Sequence, residues 1–141
     1  MVTVERIVEG CMLGEGPHWD VATQSLYFID LIDKNILKYT PSTKKLSKVP
    51  VEKAPSFIIP VEGETNQFII SQQNELVIIS WDDESNNIKI LQKICGVETP
   101  AETPKLFNDA KCDCSGRLWA GAHSIASDFA KTEPLGALYS V

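Results

Sequence analysis

The sequence predicts an all-β fold of the propeller type, in which multi-stranded blades stack face to face. Three observations lead there. Apolar residues fall into short runs separated by polar, turn-forming residues. No stretch sustains the 3.6-residue periodicity of a helix over three turns. Related strand pairs begin at Leu26, Phe68 and Leu118, spacings of 42 and 50 residues that suit a blade of several strands.

Each element follows from its residues. "MVTVERIVEG" carries Glu5 and Arg6 where a secretory leader would need an apolar stretch, so a cytoplasmic protein is expected. "LGEGPHWD" sets Glu15 between two glycines and ahead of Pro17, which reads as a tight, stiffened turn around one carboxylate. "SLYFIDLIDKNILKY" is a hairpin: two apolar runs around a polar turn. "TKKLSK", the densest positive run, is a solvated hairpin end. "SFIIP" is an apolar strand, and "NQFIISQQNELVIISW" repeats the hairpin pattern. "GRLWAGAHS" and "GALYSV" form a third copy with a connection lengthened by about ten residues. Trp19, Trp81 and Trp119 fall near strand ends and are expected to pack between blades.

Composition narrows the function. A chain of 141 residues is one domain's worth, 1–141, and buries roughly two thirds of its unfolded surface. Its 43% apolar content excludes disorder. The net charge of −6 without a basic cluster argues against nucleic acid or an anionic membrane as partner. No apolar run is long enough to span a bilayer. Cys11, Cys95, Cys112 and Cys114 are expected to be free thiols.

The repeat gives two polar residues a common phase. Glu15 lies 11 residues before Leu26, and Asn108 lies 10 before Leu118. Innermost propeller strands line a central channel, so residues at matching phase converge there. A carboxylate and an amide oxygen are hard donors suited to Ca²⁺, Mg²⁺ or Zn²⁺ in a mixed site. Other constellations read as structural. Cys112-x-Cys114 with His123 lacks the second pair a zinc site needs. His18 beside Trp19 reads as a packed, hydrogen-bonded histidine, and Asp109 as a turn cap. No nucleophile elbow, phosphate-cradling loop or HExxH run occurs.

"GEGPHWD", "TQSLYFID", "SFIIP", "FNDAKCDCSGRLWAG" and "GALYSV" occur in an order and spacing that resembles the senescence marker protein/regucalcin, gluconolactonase and luciferin-regenerating enzyme family, nearest its insect luciferin-regenerating branch. The resemblance covers essentially the whole chain. It implies the N-terminal half, about three blades, of a six-bladed propeller. It further implies one divalent ion (Ca, Zn, Mn or Mg) in the channel and hydrolysis of sugar lactones. By the same resemblance Glu15 is a metal ligand and Asn108 a substrate contact, while the remaining ligands, including the acid/base Asp, lie beyond Val141. The chain departs from the family pattern at Leu106, where Arg is expected, at Ala110, where Gly is usual, and at Ile125 and Ala126, where an acidic pair is expected. The resulting expectation is a metal-dependent lactone hydrolase, present as a shortened chain inactive alone and prone to self-associate through open blade edges. The alternatives are a non-catalytic calcium-binding or interaction protein, or a truncated gene model or isoform of a normal enzyme.

Overall fold

The computed structural model describes residues 1–98, 104–124 and 135–141. Among them eleven strands form three antiparallel sheets. The first blade is β1 (Gly14–Asp20), β2 (Ser25–Asp30), β3 (Asn35–Thr40) and β4 (Lys45–Pro50). The second is β5 (Ile58–Pro60), β6 (Gln67–Gln72), β7 (Glu75–Ser80) and β8 (Lys89–Gly96), and the third is β9 (Lys105–Cys112), β10 (Leu118–Ser124) and β11 (Ala137–Ser140). Strands pair in sequence order within every blade. The all-β, three-blade expectation holds. No helix among the described residues is long and apolar enough to cross a membrane.

The first blade shows how sequence sets the meander. β2, β3 and β4 begin ten residues apart, and each preceding turn ends in a residue at positive φ: Gln24 (49°), Lys34 (53°) and Lys44 (55°). Asp20 stabilises its turn by accepting the N–H groups of Ala22 at 3.1 Å and Thr23 at 3.2 Å.

Two cores lie between adjacent blades. Tyr27, Ile29, Ile36 and Val49 of the first blade meet Ile58, Phe68, Ile70, Val77 and Ile79 of the second. On the second blade's other face, Phe57, Ile59 and Leu76 meet Phe107, Leu118, Ala120 and Ala122 of the third. Successive strand residues point to opposite faces, so a blade covered on both sides needs apolar residues at consecutive positions. That is why "FII" and "LVII" read as continuous apolar runs. Polar contacts join the first two blades at their rim, where Lys38 pairs with Asp83 and Lys45 lies 3.5 Å from the same carboxylate.

The tryptophans divide. Trp81 is buried in the first core, but Trp19 and Trp119 are exposed, and the Trp119 indole donates to Asp113 at 3.0 Å. Asp113 also accepts from Ser115 and Arg117, and these hydrogen bonds, that of the Ser115 hydroxyl first, hold its carboxyl at about 2. For Trp19 and Trp119 the expectation of inter-blade packing is corrected: each sits on a strand face that no described blade covers.

Candidate functional site

The stretch "GEGPHWD" is a strand rather than the expected turn. In β1, Glu15 pairs with Ile29 and His18 with Tyr27, so Gly16 and Pro17 form a bulge opposite Phe28. Gly16 has φ 56°, and a Cβ there would lie 2.8 Å from the Ser56 carbonyl oxygen and 3.0 Å from Phe57 Cα. The glycine thus lets the innermost strand of the first blade press against that of the second. Pro17 fits because a bulge has no ladder hydrogen bond to lose.

β9 carries a bulge at the corresponding register. Phe107 pairs with Ala122 and Ala110 with Ala120, which leaves Asn108 and Asp109 opposite Gly121. Glu15 therefore precedes its bulge and Asn108 lies inside the other, a one-residue offset from equivalence. Ser56 joins the two strands: its carbonyl abuts Gly16, and its hydroxyl donates to the Asn108 carbonyl at 2.7 Å. Lys111 Nζ also donates to the Pro17 carbonyl at 3.2 Å. Ser56 thus contacts Gly16, the neighbour of Glu15, and the backbone of Asn108; Glu15 and Asn108 are both exposed, and neither side chain hydrogen-bonds to another described residue.

The approach to Glu15 is fixed by a buried carboxylate. Asp30, at the end of β2, is 1% exposed and accepts the N–H groups of Met12 at 2.8 Å, Leu13 at 3.1 Å and Asp33 at 3.3 Å. The Leu13 carbonyl in turn accepts from Leu31 N–H at 3.0 Å. Burial pushes the Asp30 carboxyl up, but the three N–H groups and Lys48 outweigh it, and it lies below the usual carboxylate range.

Several sequence expectations are revised by this geometry. Asp109 sits in a strand bulge and caps no turn. Ala110 pairs in register with Ala120 and is absent from the positive-φ residues, so it bears no left-handed strain. His18 is half-buried at the edge of an open cleft rather than in a core; burial and Lys111 lower its pKa against the opposing pull of Asp20. Cys112 and Cys114 are exposed residues, and partial desolvation of the Cys112 thiol, with Asp113 beside it, raises its pKa. Leu106 of β9 pairs with His123 of β10. Ile125 and Ala126 lie outside the described residues.

Sequence reasoning missed Ser56 and Asp30. The only signals were a lone hydroxyl opening "SFIIP" and an Asp closing an apolar strand. Glu15 and Asn108 suit a hard cation in donor chemistry, but two oxygens are fewer than the six to eight Ca²⁺ takes. No cluster of three or more His, Cys, Asp or Glu that could hold a metal occurs among the described residues.

Residues 13–141 match the family model described as the SMP-30/Gluconolactonase/LRE-like region. The chain is 28% identical over 124 residues to regucalcin of Xenopus laevis, covering 87% of this chain and 39% of that protein. It is 30% identical over 118 residues to YvrE, a candidate sugar lactone lactonase of Bacillus subtilis, covering 83% of this chain and 37% of that one. A solved luciferin-regenerating enzyme superposes with a TM-score of 0.83 at 37% identity, covering 95% of this chain and 43% of the other. A calcium-binding regucalcin from Agrobacterium tumefaciens shares the fold, with a TM-score of 0.73 at 17% identity over 96% of this chain and 42% of its own. The chain spans about two fifths of the length of these relatives.

Proposed function

We propose, for a chain that belongs to the SMP-30/gluconolactonase/LRE-like family, that residues 1–141 form part of a cation site serving lactone hydrolysis, with Glu15 as metal ligand and Asn108 as a substrate contact on the metal side, its amide oxygen a second donor to the cation. One observation carries this reading: the bulges of β1 and β9 meet at Ser56 and leave the Glu15 carboxylate and the Asn108 amide without protein partners among the described residues. A divalent ion (Ca²⁺, Zn²⁺, Mn²⁺ or Mg²⁺) bound there would polarise a lactone carbonyl and lower the pKa of a bound water. Glu15 supplies the negative charge that holds the cation. Asn108 offers both an oxygen acceptor and an N–H donor, which suits the hydroxyls of a sugar lactone.

A non-catalytic calcium-binding reading is favoured by one feature, Leu106, an apolar residue two positions before Asn108 where a guanidinium would grip substrate. The two readings differ in lactone turnover. With two donor oxygens, the 141-residue chain is expected to bind Ca²⁺ weakly, at roughly millimolar strength. It is expected to hydrolyse gluconolactone no faster than buffer, with or without Ca²⁺, Mn²⁺ or Zn²⁺. Calorimetric titration with CaCl₂ tests the site: Glu15→Gln should remove measurable binding, and unchanged binding in that variant would refute Glu15 as ligand. Metal-stimulated turnover well above the buffer rate would overturn the expected inactivity.

Self-association is proposed on a separate observation. The third blade has three described strands where the others have four, and β11 pairs only with β10 and carries the exposed Leu138. An unpaired strand edge beside apolar side chains recruits another strand, here from a second copy of the chain. Light scattering of the purified chain should give a dimer or larger, and a monodisperse monomer at 100 µM (about this concentration suffices for weak dimers) would count against it.

A further inference from the structure

We infer that Ser56, backed by Ser71, is a positioning residue that sets the spacing between Glu15 and Asn108. The inference rests on the cation-site reading of those two residues and extends it to a residue that touches neither cation nor substrate. Ser56 is 5% exposed and Ser71 is 0% exposed, so neither hydroxyl can exchange its partners for solvent.

The direction of every bond follows from donor counting. The Asn108 carbonyl can only accept, so the 2.7 Å bond to it uses the single hydroxyl proton of Ser56. The 2.7 Å contact between the two hydroxyls must then be donated by Ser71. Ser71 Oγ accepts in return the Ser56 N–H at 2.7 Å. The result is a fixed relay, Ser71 to Ser56 to Asn108, running from β6 through the residue that precedes β5 by two positions into the bulge of β9. Bulged backbone lacks the ladder bonds that hold a regular strand, so a side-chain bond to a bulge carbonyl fixes the backbone from which the Asn108 side chain projects. On the other side, the Ser56 carbonyl is the atom against which Gly16 is pressed, one residue from Glu15. One buried residue therefore contacts both bulges. Such double contact is what a spacer between two ligands requires.

The test is a CaCl₂ titration of the ¹⁵N-labelled 141-residue chain followed by NMR. In the wild type, the Glu15 backbone amide and the Asn108 side-chain NH₂ should shift together with one dissociation constant. In Ser56→Ala, with an unchanged overall spectrum, the Glu15 shift should persist while the Asn108 response shrinks or follows a separate curve. The constant should weaken about three- to tenfold, the range of one neutral hydrogen bond. Ser56→Thr, which keeps the hydroxyl, should restore the joint response. Ser71→Ala should give a smaller loss of the same kind, which keeps the inference open to refutation should Ser56→Ala unfold. A merely structural role would lower the melting temperature without uncoupling the two resonances. Joint, full-strength responses in both alanine variants would overturn the spacing role while leaving the cation site intact. If Glu15→Gln titrated like the wild type, the cation-site reading would fail and the spacing role with it.

Discussion

Gly16→Ala is expected to destabilise the chain by about 2–5 kcal/mol and to weaken cation binding at the same time. Two costs add. At φ 56° an L-residue pays roughly 1–2 kcal/mol for the left-handed conformation. The new Cβ would also stand 2.8 Å from the Ser56 carbonyl oxygen and 3.0 Å from Phe57 Cα. These are backbone atoms, so no rotamer change relieves the contact, and overpacking of this kind costs about 1–3 kcal/mol. The atoms that must move belong to Ser56, the residue that holds Asn108. Gly63→Ala is the control: its φ is 79° and a Cβ there meets nothing within 4 Å, so only the conformational cost of about 1–2 kcal/mol applies. Urea unfolding of the two variants isolates the steric part as their difference. Equal losses would show that Gly16 is not in the close contact with Ser56 and Phe57 described.

Much of the architecture was legible because burial on two faces leaves a strong trace. The second blade's "FII" and "LVII" are apolar throughout since each strand faces a core on both sides. The hairpins announce themselves through polar turns between such runs. The site was less legible for a definite reason. Gly, Pro and an acidic residue together are the ordinary vocabulary of a turn, and the bulge of β1 draws on the same residues, with Gly16 at positive φ and Pro17 where a ladder bond is missing. Hence "GEGPHWD" read as a turn and is a strand. Asn108 and Asp109 were displaced for the same reason, since a bulge shifts register by one and sequence spacing counts residues, not pairs. Ser56 was hidden inside an apolar stretch because its partners, Ser71 and Asn108, are 15 and 52 residues away. Trp19 and Trp119 were misread because strand-end position does not reveal which face a neighbouring blade covers.

Asp30→Ala is expected to cost about 2–4 kcal/mol at pH 7 and to release the segment leading into Glu15. The buried carboxylate satisfies the N–H groups of Met12, Leu13 and Asp33, and hydrogen bonds to charged groups contribute about 1.5–3 kcal/mol each. Part of that is recovered, because Met12 is exposed and its freed N–H can turn to water. Asp30→Asn keeps one acceptor oxygen and should lose less. The pH dependence has a definite sign. Although burial opposes ionisation, the N–H donors and Lys48 place the folded carboxyl below its ordinary value of 3.8. A depressed folded pKa adds stability that is present in full above 3.8. That contribution declines as pH falls from there through the lower folded value, and it is gone once both states are protonated. The stability gap between wild type and Asp30→Ala, measured by urea unfolding at a series of pH values, should therefore stay constant from pH 7 to about 5 and narrow below 3.8. The protection factors of the Met12 and Leu13 amides against hydrogen exchange, each taken relative to the intrinsic rate at that pH, should fall over the same acid range, since these are the groups the carboxylate holds. A gap that narrowed between pH 7 and 5 instead would mean that the titrating group is not a carboxyl held below its ordinary range, and Asp30 would lose its role as the anchor of β1.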